Sequence, residues 1–219
     1  MAVIVLDQAR LSGQLQPLPR HKRGAFAASC AQRLAGCFLD SPLIRRERPD
    51  DFRLVKNTLE ELWAAARHDT PERVDDLTFA LEQLPELLAD VQWRGRGAYQ
   101  THALAALVYA AESWDDTSPE SAVECAQHVF DTAAFLDRRL DPSPIESLDA
   151  IHAFIDHGAP MPDPATGPFQ TRELQRQQED LAMITRAVPE AWGTTLSEIR
   201  RNSEAYAEAF QEALDSTFS

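Results

Sequence analysis

The sequence predicts an all-α protein: a single-domain bundle of about eight helices around a central apolar helix. Composition is the first reason, because the 219 residues include 33 Ala and 24 Leu but only 16 Val and Ile together, and unbranched side chains lose less rotamer freedom on a helix. Periodicity is the second reason, because apolar residues in 20–39 recur at spacings of three and four, as on one buried helix face. A chain of this length also buries a sizeable core without disulfides or metal.

Prolines and glycines divide the chain into helices of ordinary length. The first helix is expected to end near Gly13, and Asp69 or Thr70 is expected to be an N-cap before Pro71. The nearly uncharged helix at 98–113 is predicted to be the buried centre. The predicted helices cover residues 2–12, 20–39, 52–63 with its continuation at 71–88, 98–113, 118–140, 145–157, 171–188 and 194–218.

The helices are expected to form one domain over residues 1–219. The sequence contains no repeat of fixed period and no second core large enough to stand alone. Residues 160–168 hold five of the 22 glycines and prolines, which excludes helix and paired strand there. We therefore predict a surface connector at 158–168 before a C-terminal helical pair. The alternative is that this pair packs loosely on the rest.

Charge is distributed unevenly along the chain. The net charge is −14, with a balance of +4 in residues 1–50 and −18 in the remainder. Such a negative field repels nucleic acid and anionic lipid, so neither is an expected partner. No apolar stretch approaches the ~20 residues needed to cross a bilayer, and no basic segment precedes the short apolar run at 1–6. These features predict a cytoplasmic protein.

The common catalytic signatures are missing from the sequence. It contains no glycine-rich phosphate loop, no C-x-x-C, no H-E-x-x-H and no G-x-S-x-G, so no catalytic residue and no cofactor is predicted. The three cysteines, Cys30, Cys37 and Cys125, lie in Ala-rich helical segments and are expected to be buried free thiols. His102, on the apolar helix at 98–113, is expected to be a core histidine.

Two groups of residues were weighed as metal ligands. Glu124 and His128 share a helix face, with Asp131 three residues further on, but di-iron bundles use Glu-x-x-His on two helices. The second group is His152, Asp156 and His157, which is equally well explained as a solvated helix surface. We therefore expect polar surface and no metal site.

Acidic residues around a tryptophan suggest a surface for a basic partner. Trp114 lies among four carboxylates in the loop at 112–120, and tryptophan anchors with acidic rims favour fast, tight protein association. On the last helix, acidic residues recur at a spacing of four. The predicted partner-binding residues are Trp114, Asp115, Asp116, Glu120, Glu204, Glu208, Glu212 and Asp215. The alternative is a polar loop whose tryptophan folds back into the core.

Several residues of the second, third, fourth and fifth predicted helices also match a known pattern. The matching residues are Phe26, Cys30, Arg33, Leu59, Leu62, Trp63, Tyr99, Ala103, Ala106, Ala122, Val123, Glu124, Thr132, Ala134, Leu136 and Asp137. On these residues the chain resembles the YjaG-like family of uncharacterised bacterial proteins, over residues 20–140. The resemblance implies an all-helical fold and no particular reaction, and the family has been loosely linked to signalling.

The leading hypothesis is an immunity protein, a non-catalytic inhibitor that binds a cognate cationic toxin. A nuclease toxin is cationic because it must hold phosphates, and an acidic inhibitor matches it electrostatically. One alternative is a signalling or scaffold protein that acts as a homo-oligomer, and a homodimer is left open. The other is a metal-dependent enzyme with a helical site around His102, Glu124 and His128.

Overall fold

The computed structural model of the protein describes residues 5–70, 74–88, 95–114, 117–140 and 167–218. Within these ranges the chain is all-α, with ten α-helices and no strand. The helices are α1 (Gln8–Leu15), α2 (Arg20–Leu39), α3 (Pro42–Glu47), α4 (Pro49–His68), α5 (Asp75–Glu82), α6 (Pro85–Leu88), α7 (Arg96–Glu112), α8 (Glu120–Leu140), α9 (Pro168–Arg186) and α10 (Trp192–Thr217), with a 3-10 turn, Pro189–Ala191, before α10.

Local capping explains why the described helices outnumber the predicted ones. No helix was predicted between residues 39 and 52, but Ser41 accepts a hydrogen bond from the Ile44 amide and Pro42 starts the short α3. The predicted first helix is displaced, because Asp7 caps α1 by accepting from the Arg10 amide. Gly13 therefore lies inside α1 and does not end it. Residues 1–4 lie outside the described ranges.

The central element of the described bundle is α2. It packs against α3, α4, α7, α8, α9 and α10, and its side chains Phe26, Leu34 and Phe38 are fully buried. The prediction that the 98–113 helix is the centre is not confirmed, since α7 packs on α2, α4, α5, α6 and α8 but leaves His102 and Tyr109 half-buried. The near absence of charged residues in α7 suggested a fully buried helix at the centre of the bundle, but its His102 and Tyr109 side chains are only half-buried.

The two C-terminal helices pack closely on the helices that precede them. Helix α9 contacts α2 and α8, and α10 contacts α2, α4 and α8. Trp192 Nε1 donates to the Ala66 carbonyl at 2.9 Å, which fixes the start of α10 against α4. The predicted helix at 145–157 and the connector at 158–168, except Gly167 and Pro168, lie outside the described residues.

The junction between α8 and α9 depends on Asp137. Its two carboxylate oxygens accept hydrogen bonds from the amides of Phe169 (2.9 Å) and Gln170 (2.8 Å) at the start of α9. Gly167 lies so close to the Asp137 side chain that a Cβ there would overlap it. A side chain of α8 therefore satisfies the first amides of α9.

Two sequence expectations are settled directly by burial and helix composition. Cys30, Cys37 and Cys125 are free and buried, as predicted. Among the helices in the described ranges, none combines the length and apolar character needed to span a membrane.

Candidate functional site

Only part of the acidic line predicted on the last helix is exposed and outside the ion pairs that the described residues form. Glu208 and Glu212 are exposed on α10, opposite the buried row of Tyr206 and Phe210. Glu204 instead accepts from Arg200 Nε at 2.9 Å, and Asp215 lies 2.8 Å from Arg96. The predicted line therefore reduces to Glu208 and Glu212, because arginines of this chain neutralise its two ends.

The groove between α4 and α10 shows why Glu204 does not belong to a purely acidic surface. This groove of about 310 Å³ is lined by Glu60 and Glu204 but also by Arg67, Arg200 and Arg201. Arg200 donates to Glu60 at 2.9 Å as well as to Glu204. The side of α10 that faces α4 is thus of mixed charge, and the exposed Glu208 and Glu212 lie in the C-terminal half of this helix.

The tryptophan predicted to anchor a partner lies inside the protein. Trp114 is fully buried, and its ring packs so tightly on Gly24 of α2 that a Cβ at this glycine would overlap it. The prediction of a surface role for Trp114 is therefore wrong for this conformation, and the alternative of an inward-folded tryptophan describes the structure. Glu120 is exposed at the start of α8. Asp115 and Asp116 lie outside the described residues.

The structure brings together two histidines whose convergence the sequence left undecided. His102 on α7 and His128 on α8 face each other, with their Nδ1 atoms 3.4 Å apart. Tyr109 stacks on the His128 ring with centroids 5.2 Å apart, and Phe135 packs on the His102 ring at 5.3 Å. The prediction that His102 is a core residue is too simple, since its ring is half-buried and is paired with a second imidazole.

The surroundings of both imidazoles favour the neutral form over the charged form. Burial lowers the pKa of His102 and the neighbouring His128 lowers it further, although Asp131 opposes the shift. Burial also lowers the pKa of His128, against the attraction of Asp131 and Glu124. Glu124 is thus close enough to act on His128 electrostatically, while its own side chain is exposed.

The described residues contain no group of three or more His, Cys, Asp or Glu side chains arranged to hold a metal ion. His102 and His128 are therefore a pair, and a third ligand would require a side-chain rotation. The second group considered from the sequence, His152, Asp156 and His157, lies outside the described ranges.

A buried ionic cluster joins α2 to α9, and the sequence analysis did not predict it. Arg33 Nη1 donates to Asp180 at 2.7 Å, and Nη2 donates to Glu173 at 3.0 Å. None of these three side chains is exposed to solvent. Cys30 Sγ accepts from the same guanidinium at 3.1 Å, and Gln177 Nε2 donates to Glu173 at 2.8 Å.

The charges of this cluster do not balance when all three groups are ionised. One guanidinium faces two carboxylates, which leaves one negative charge in excess. Burial raises the pKa of Glu173 and of Asp180, and the attraction of Arg33 only partly opposes that rise. Desolvation disfavours the charge on Arg33, but the combined attraction of its neighbours raises its pKa overall. Arg33 therefore remains charged, and the carboxyl groups hold protons more tightly than usual.

A signal for this cluster was present in the sequence. Glu173, Gln177 and Asp180 recur at spacings of four and three, and Ile184 continues the same helix face into the core. Polar residues at apolar-stripe positions indicate a buried network when a partner of opposite charge is available. Arg33 lies in the apolar helix at 20–39 and was noted only as part of a family resemblance, so the pairing was missed.

Comparison with protein families, with curated proteins and with solved structures finds no match to this chain.

Proposed function

We propose that this chain is a non-catalytic binding protein that neutralises a cationic protein partner, in the manner of an immunity protein against a nuclease toxin. The observation that carries the proposal is the exposed pair Glu208 and Glu212 on the outward face of α10, neither of which forms an ion pair with another described residue, in a protein with a net charge of −14. The proposed location is the cytoplasm, where a nuclease would reach the nucleic acid of the producing cell.

The partner chemistry follows from charge complementarity. A nuclease binds phosphates with Lys and Arg, so its active surface is strongly positive. An acidic helix face presented to that surface accelerates the encounter and excludes nucleic acid from the same site. Glu208 and Glu212 lie one helix turn apart, so both can face one basic patch. The resemblance to the YjaG-like family adds no reaction to this proposal.

The test requires a neighbouring gene in the native genome that encodes a protein with a basic C-terminal domain, and this domain is then the candidate nuclease. The purified chain is expected to inhibit cleavage of DNA or RNA at equimolar concentration. The association rate is expected to fall steeply as salt is added, because surface charges are screened. The variant E208K/E212K is expected to associate about tenfold more slowly at low salt.

A matched control reverses two exposed glutamates elsewhere. Glu82 lies at the end of α5 and Glu190 lies before α10, and both are exposed. E82K/E190K changes the net charge by the same amount as E208K/E212K and is expected to retain most of the association rate. Equal slowing in both double variants would reject the assignment of the α10 surface. Absence of any inhibition of the neighbouring basic domain would reject the immunity function.

A self-associating scaffold is the other function that the same preparations test. Light scattering on the purified chain is expected to show a monomer that gains mass only when the basic partner is added. A stable homodimer that does not change on addition of the partner would favour the scaffold.

A further inference from the structure

A groove of about 680 Å³ lies between α1 and α9. Both helices pack on α8, and the groove remains open between them. Its walls are one face of each helix, because the lining residues recur at spacings of three and four. Among them are Arg10 and Gln14 on α1, and Leu174, Gln178 and Ala182 on α9. A cavity of this volume falls within the range of small-molecule sites, roughly 300–1,000 Å³.

The buried residues that line this groove are mainly leucines. Leu6 and Leu11 lie on the α1 side and Leu181 lies on α9, and all three belong to the hydrophobic core. Leu174 is half-buried beside them, and Val5 lines the same groove with 70% of its surface exposed. Apolar surface of this kind gains free energy when an apolar ligand covers it and removes it from water. The groove therefore suits a ligand with an apolar part.

Two arginines on opposite walls give the groove a local positive charge. Arg10 and Arg186 are exposed, and neither forms an ion pair with a carboxylate of the described residues. Asp7 is the one acidic side chain among the described residues that line the groove, and its carboxylate caps α1 by accepting from the Arg10 amide at 2.9 Å. The lining is thus positive by one charge, in a protein with a net charge of −14. Guanidinium groups of this kind bind carboxylates through paired hydrogen bonds.

We propose that this groove binds a small amphipathic anion, an alkyl carboxylate of medium chain length. The alkyl chain covers Leu6, Leu11 and Leu181. The carboxylate binds the guanidinium groups of Arg10 and Arg186. The negative field of the protein as a whole disfavours an anion elsewhere on its surface, so these two arginines determine where the head group lies. The site is independent of the proposed partner surface, because no residue of α10 lines it.

Titration of the isotope-labelled wild-type chain with octanoate, followed by amide chemical shifts, tests the site. Saturable shifts are expected in α1 and α9. Affinity is expected to rise from hexanoate to decanoate by up to about fourfold per added methylene, because each one buries further apolar surface. Octylamine carries the same chain with a cationic head group and is expected not to shift these amides. This comparison uses the wild-type protein alone, so it does not depend on how a variant folds.

Paired arginine variants test the head-group contacts. R10Q/R186Q is expected to weaken octanoate binding about tenfold or more, because the carboxylate loses its charged hydrogen bonds. R172Q/R201Q is the matched control, since it removes the same charge from two exposed arginines of α9 and α10 that lie outside the groove, and it is expected to bind octanoate as the wild type does. Absence of octanoate binding, equal binding of octylamine, or equal losses in the two double variants would overturn the proposal.

Discussion

Replacing Arg33 with methionine tests whether the buried ionic cluster holds α9 on α2. Methionine has nearly the same length as the aliphatic part of arginine, so R33M removes the guanidinium without leaving a large cavity. Glu173 and Asp180 then lose the hydrogen bonds that Nη2 and Nη1 donate at 3.0 and 2.7 Å. Neither carboxylate can turn to water, because both side chains are fully buried.

The expected effect is large because the loss is one-sided. Removing one partner of a buried ion pair typically lowers the free energy of unfolding by about 3–5 kcal/mol, mostly through the charge left without compensation. For a chain of this size that corresponds to a fall in Tm of roughly 10 °C. The triple variant R33M/E173L/D180L removes all the charges together. It is expected to recover most of the loss, since a buried ion cluster and a packed apolar core are often of similar stability.

Urea unfolding followed by circular dichroism measures these differences, with an unchanged m-value as the check that the folded state is still compact. The measurement is made at neutral pH and in mild acid. The defect of R33M is expected to shrink in acid, because protonation neutralises the two stranded carboxylates. A loss below about 1 kcal/mol at neutral pH would refute the reasoning, since it lies far under the cost of an uncompensated buried charge.

Three further predictions concern single sites. G24A is expected to lower stability by about 1–3 kcal/mol, because a Cβ would overlap the Trp114 ring. G13A lies in open space on α1 and should raise stability by about 0.5–1 kcal/mol. Urea unfolding measures both changes. D137A is expected to cost about 1–2 kcal/mol, measured in the same way, because two amides of α9 lose their acceptor. Burial raises the pKa of Glu173 above 4.5, so the folded state keeps a proton that the unfolded chain has lost. The stability of the wild type relative to E173Q should therefore fall as pH rises above that value, and an increase would contradict the assignment.

The helices themselves were largely predictable from the sequence, because their signals are local. The bounds of α2 agree with the predicted 20–39, and α8 ends at the predicted Leu140. Short elements were missed where one capping side chain decides the structure, as Ser41 does for α3. Gly13 led to the opposite error, a helix end predicted where the helix continues. Burial of Leu11 and Leu15 on α1 outweighs the small helical cost of one glycine.

The exposure of individual side chains was harder to predict than the helices that carry them. The surroundings of Trp114 in the sequence are acidic, which suggests a surface, but its ring fills the space that Gly24 leaves free on α2. Glu204 and Asp215 appeared to continue an acidic line, but Arg200 and Arg96 pair with them in space. The burial of Trp114 and the Arg96–Asp215 pair depend on contacts between residues far apart in the sequence, which periodicity on one helix does not report. The Arg200–Glu204 pair is different, because it lies at a spacing of four on one helix and could have been recognised from the sequence.

The two polar clusters show what such distant contacts create. His102 and His128 are separated by 26 residues, and Arg33 lies 140 residues before Glu173, so no motif of fixed spacing could join either pair. The packing of α7 on α8 makes the first cluster, and the packing of α9 on α2 makes the second. The first is half-buried, whereas the side chains of the second are closed to solvent. Accessibility therefore separates the two clusters: the Arg33 cluster is enclosed between α2 and α9, and the histidine pair is half-buried between α7 and α8.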